Sequence, residues 1–83
     1  MKQFSYEITN VITTLSTSPK NGWHKRLCMV SWNNRKPKLD LREWAPEGTK
    51  GRVMGKGVTL SPEEASRLAD AISSLNLTSV TDA

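Results

Sequence analysis

The chain has 83 residues, a formal charge of +4 and a pI of about 9.6, a length that suits one domain burying roughly 60 to 65% of the surface its unfolded chain exposes. A lone cysteine, Cys28, and a lone histidine, His24, exclude an internal disulfide and a four-ligand zinc site. No run of about 18 apolar residues occurs and the start, MKQFSYEITN, has no apolar signal core, so the expectation is a soluble cytoplasmic protein with no membrane span.

Residues 4 to 16, FSYEITNVITTLS, are β-branched and aromatic without Gly or Pro, which predicts a first strand. Phe4, Tyr6 and Ile8 share one parity while Val11 and Leu15 take the other, so a bulge or sharp twist is expected near Asn10. A turn follows in TSPKNG, residues 17 to 22. The second strand is WHKRLCMVSWN, residues 23 to 33, with Trp23, Leu27 and Met29 on one parity and Cys28, Val30 and Trp32 on the other. NRKPK, residues 34 to 38, reads as a basic hairpin connection.

The third strand, KLDLREW from Lys38 to Trp44, places Leu39 and Leu41 on one face and Lys38, Asp40, Arg42 and Trp44 on the other. The second face is polar except for its tryptophan. APEGTKG then forms a loop, and residues 53 to 60, VMGKGVTL among them from Val53, form a fourth strand in which Met54, Val58 and Leu60 share a parity. Gly55 and Gly57 flank Lys56, which lets another backbone come close and leaves the lysine clear of neighbours.

The hydrophobic period changes at SPEEASRLADAISSL. Ser61 as N-cap, Pro62 at the first helical position and Glu64 three residues after the serine make a capping box. Leu68, Ile72 and Leu75 then form a narrow seam on one helix face. Residues 77 to 83 are small and polar and are expected to be a flexible tail beyond a single domain of residues 1 to 76. The order is four strands and one helix, an α+β fold of type ββββα with an antiparallel meander. One helix cannot cover both faces of such a sheet, and small folds without disulfide or metal gain stability by association. A homodimer through Leu68, Ile72 and Leu75 is therefore expected.

Charge is unevenly placed. Residues 20 to 56 hold ten basic side chains against three acidic ones, a net of +7, and all three tryptophans. Cations interleaved with flat rings suit an unpaired nucleic-acid strand, since phosphates are neutralised while bases stack. Lys25, Trp32, Lys36, Lys38, Arg42, Trp44, Arg52 and Lys56 are the candidate contacts. The same residues also suit tryptophans packing a small core under a lysine-solvated sheet, or a basic sheet docking an acidic protein.

Enzyme motifs fail. In GRVMGKG, residues 51 to 57, the glycine spacing is one residue short of a phosphate loop and Lys56 precedes Gly57 instead of Ser or Thr. His24 and Cys28, four apart on a strand, stand about 13 Å from each other. Asp40 and Glu43 point to opposite strand faces, so no metal cluster forms with Glu47. The reading is a non-enzymatic protein needing no cofactor.

The run LDLREW, a Pro-Glu-Gly loop and then GKGVTLSPEEASRL resemble the single-stranded-DNA-binding domain of the transcriptional coactivator positive cofactor four family. GW and Lys25 before strand two, VSW at its end, PK, Asp40, Arg42 and Trp44 in strand three, and MGKG with TLS and EE at the helix start are closest to its bacterial YdbC-like branch. The resemblance covers about residues 4 to 75. It implies a curved four-stranded sheet, a homodimer packed through its helices and a groove for unpaired strands. It further implies phosphate contact by Arg42, base stacking by Trp44, Lys38 on their face, Lys56 at a basic position and Trp32 near a family aromatic. Where the family's coactivator has two adjacent aromatics after Arg-Glu, Trp44 is followed by Ala45 and Pro46. Binding to single-stranded DNA is what carries over, in transcription regulation, replication or repair, and the sequence does not separate DNA from RNA.

Overall fold

The computed structural model describes residues 4–75, and the expected tail at 77 to 83 lies outside them. Strands β1 (Tyr6–Thr17), β2 (His24–Trp32), β3 (Lys38–Trp44) and β4 (Met54–Leu60) form one antiparallel sheet in sequential order, followed by helix α1 (Pro62–Ser74). The turn before β2 is closed by Ser18 N donating to Trp23 O at 2.8 Å and Gly22 N to Ser18 O at 2.9 Å, with Gly22 at φ 78°. Asn33 and Asn34, at φ 51° and 63°, make the tight β2–β3 turn, the left-handed pair a two-residue hairpin favours. Asn33 also ties down the start of β1, accepting from Ser5 N at 2.9 Å through its side chain.

The parity change in the first strand is a real irregularity: pairing with β2 shifts between Ile8 and Asn10, and again at Val11/Thr13 and Thr14/Ser16. Each shift inserts a residue and bends the strand. A further shift, between Arg42 and Trp44 opposite β4, corrects one expectation. Met54 faces Trp44 and packs on the core, whereas Val58 and Leu60 lie opposite Leu41 and Leu39, on the other face of the sheet. The extra residue between them reverses the alternation.

These irregularities curl the sheet. Trp32 and Trp44 sit at opposite ends of the β2–β3 ladder, yet the Tyr6 ring lies 5.9 Å from the first and 5.5 Å from the second. The core fills this inner face: Cys28, Val30 and Trp44 are buried, with Tyr6, Ile8, Trp32 and Met54 packed against them. The opposite, outer face carries Lys25, Leu27, Met29, Leu39, Leu41 and Glu43 by register.

Burial pushes the Cys28 thiol up, against an opposing pull from Arg26, with Asp40 adding to the rise. The folded state therefore favours the protonated thiol, and that contribution is lost as pH rises above the usual thiol range through the raised value. Cys28 should react with Ellman's reagent at neutral pH only as fast as the fold opens. Labelling of the native chain as rapid as labelling in urea would place the thiol at the surface.

Helix α1 begins at the expected box: Glu64 N donates to Ser61 Oγ at 3.1 Å and Ser61 N to Glu64 Oε1 at 2.8 Å. It touches β3 and β4 lightly, and its seam stands open, with Leu68, Ile72 and Leu75 at 40, 44 and 57% exposure.

Candidate nucleic-acid interface

On β3 the structure buries the face that carries Asp40 and Trp44. Asp40 is fully buried and Trp44 only 5% exposed, while Leu39 and Leu41 on the other face are half-buried. What makes burial of an aspartate tolerable is complete pairing. Arg42 Nε and Nη2 donate to Asp40 Oδ2 and Oδ1, both at 2.9 Å, and Thr59 Oγ1 donates to Oδ1 at 2.7 Å. The third arm of the guanidinium, Nη1, donates to Gly55 O at 3.1 Å, and its carbon lies 5.2 Å from the centre of the Trp32 ring. Gly57 leaves the room: a Cβ there would fall 2.4 Å from Arg42 Cβ and 2.5 Å from Leu41 O.

The surroundings of the two residues are these: Trp44, expected to stack on a base, packs against Tyr6 inside the curl, and Arg42, expected on a phosphate, donates to Asp40 and Gly55 with its side chain 14% exposed, at the border of the second outer cleft. Trp32 is held by the rings of Phe4 and Tyr6 as well as by Arg42. Binary patterning reads this face as polar because an ion pair and its neighbouring rings, taken residue by residue, show nothing of their mutual pairing.

The remaining cations divide into two groups. Lys36 and Lys38 are exposed near the β2–β3 hairpin, about 20 Å along the strands from Lys25 at ~3.3 Å per residue. Lys25, Arg52 and Lys56, by contrast, converge on one open cleft of about 820 Å³ on the outer face, between the turn before β2 and the start of β4. A second cleft of about 360 Å³ adjoins it, sharing Lys25, Glu43 and Lys56 and bounded by Leu41, Gly57 and Val58. Among the described residues the one ion pair is Arg42 with Asp40, so all three cations of the cleft are uncompensated by a direct contact. Like charges held together over an open groove favour an anionic occupant.

Trp23, which the sequence left between core and surface, lines the larger cleft. Its ring lies against Gly55: a Cβ at that glycine would come 2.8 Å from Trp23 Cζ3. Its backbone is fixed by Trp23 N donating to Asn21 Oδ1 at 3.0 Å. Parity alone could have put Trp23 on the face of Lys25, but the identity of that face as the open one depended on the curl. Among the described residues no group of three or more His, Cys, Asp or Glu could hold a metal, and no helix is long and apolar enough to cross a membrane.

Comparison with known proteins agrees with this architecture. A family model described as Transcriptional Coactivator p15 (PC4) matches residues 20–71, from the turn before β2 through most of α1. An uncharacterized protein of Treponema pallidum (strain Nichols) is 47% identical over 74 residues, covering 89% of this chain and 82% of the relative. With four antiparallel strands, one C-terminal helix and a match over more than half its length, the chain belongs to the Transcriptional Coactivator p15 (PC4) family.

Proposed function

We propose that the protein is a homodimeric single-stranded-DNA-binding protein that seats the phosphates of an unpaired strand in the two adjoining outer clefts, with little preference for sequence along the strand. The observation that carries the reading is the convergence of Lys25, Arg52 and Lys56 beside the Trp23 ring, since phosphate neutralisation next to a flat ring is what unpaired strands need. Family membership supports a nucleic-acid-binding, non-enzymatic role, and the Treponema relative supports a bacterial origin. Lys36 and Lys38 extend the basic surface toward the hairpin. Such an activity belongs with the nucleoid in the cytoplasm.

Tryptophan fluorescence tests it by titration with an unpaired thymidine oligomer and with a duplex of the same length, at several salt concentrations. Quenching by the unpaired strand alone is expected, with log affinity falling against log salt by about 0.7 per phosphate contacted. Equal, weak binding of both oligonucleotides would overturn the reading in favour of a basic sheet that docks an acidic protein.

The dimer is supported by the open α1 seam and by a sheet that, among the described residues, is covered only by light contact with α1, the smallest extent being 18 Å. A sheet face and a helix stripe of this kind are stable when buried against another element. Ile72→Glu should convert a dimer to a monomer in sedimentation velocity at micromolar concentration and lower the melting temperature. A wild-type chain that sediments as a monomer would remove the proposal.

A further inference from the structure

Glu43 is an anomaly in the cleft. It is the acid that lines both outer clefts, where every phosphate would feel its repulsion. Its register partner is Lys25, yet no salt bridge joins them, and among the described residues nothing donates a hydrogen bond to its carboxylate. Its Cβ lies 3.1 Å from the point where a Gly55 Cβ would stand, and the Trp23 ring lies 2.8 Å from the same point. Trp23 Cζ3 and Glu43 Cβ are therefore within about 6 Å of each other, the two side chains flanking one glycine.

Resting on the single-strand reading above, we propose that Trp23 and Glu43 form a base-reading position: a base stacked on Trp23 presents its edge to the Glu43 carboxylate, which accepts from an exocyclic amino group. A carboxylate accepts well from the N4 amino group of cytosine. Thymine offers a carbonyl oxygen at the same place, which a carboxylate repels. The cleft thus prefers cytosine to thymine at this one position, while the phosphate contacts stay indifferent to sequence. Gly55 is the seat that both residues require, because any side chain there would press on the Trp23 ring and on the Cβ and backbone oxygen of Glu43.

The test is fluorescence anisotropy on the full chain with short dye-labelled oligomers of deoxythymidine and of deoxycytidine at pH 7.5, for the wild type, Glu43→Gln and Trp23→Ala. Expected are about fivefold tighter binding of the cytosine oligomer by the wild type, near the low end for a base-edge contact. Glu43→Gln should lose that ratio, and Trp23→Ala should weaken both oligomers at least fivefold. If Glu43 acts only as a charge, Glu43→Gln tightens both oligomers equally and leaves the ratio where it was, which overturns the proposal. Equal wild-type affinities overturn it as well, and need no variant to fold. Binding of both oligomers with no preference leaves the single-strand reading standing, whereas binding of neither removes both.

Discussion

Asp40→Ala is expected to destabilise the fold by about 3 to 5 kcal/mol, the cost of stripping one partner from a buried ion pair. The substitution leaves the Arg42 guanidinium beneath the Trp32 ring with Gly55 O as its remaining acceptor, and strands Thr59 Oγ1 without its partner at 2.7 Å. It also opens a void at the centre of β3, between Cys28 and Thr59, the register neighbours of Asp40. Urea unfolding at constant denaturant slope measures the change. Asp40→Asn keeps the shape and part of the hydrogen bonding, and should fall between the alanine variant and the wild type. A shift below about 1 kcal/mol for the alanine variant would mean that the network is solvated and that the inner face is open, as the polar pattern of KLDLREW alone suggested.

Replacing Lys25, Arg52 and Lys56 together by alanine should weaken binding of an unpaired thymidine oligomer about 50-fold at 0.15 M salt and lower the slope of log affinity against log salt by about 2. All three side chains are exposed and, among the described residues, free of ion pairs. Their removal should therefore leave the melting temperature within a few degrees of the wild type. Replacing Lys36 and Lys38 in the same way should have a smaller effect, because they stand at the far end of the hairpin. An unchanged salt slope in the triple variant would place the strand elsewhere on the molecule. Equal losses for the two sets of substitutions would describe one continuous basic track in place of a cleft.

Element order and type were legible in the chain because each local signal agrees with the fold. Pro62 and the Ser61/Glu64 box start α1 where the structure has it, and β3 spans Lys38–Trp44 as its alternation implied. Even the bulge near Asn10 was visible, since a change of parity within a strand has few other physical causes. The site was legible in part. The basic, tryptophan-bearing segment contains the open cleft, but periodicity did not say how its rings divide: Trp44, expected at the ligand, lies inside the curl, and Trp23, left undecided, lines the cleft. Periodicity states which residues share a face and is silent on which face closes. Leu39 and Leu41 share one face of β3 and Asp40 and Arg42 the other, and which of the two closes rests on pairing that no local pattern encodes.

The sequence by itself determined four strands, a capped helix with an apolar seam and a concentration of cations and tryptophans between residues 20 and 56. Each of these follows from short-range chemistry: propensity, parity, capping and charge. Only the tertiary structure decided that Asp40 and Trp44 lie inside and that Trp23, Lys25, Arg52 and Lys56 share an open cleft. The register shifts of β1 and β4 set the curl, and the curl brings together rings from opposite ends of the ladder. It closes one face around a paired carboxylate and leaves the other to its cations. Such a choice depends on contacts between residues far apart in the chain, and the free energy that settles it belongs to the assembled sheet.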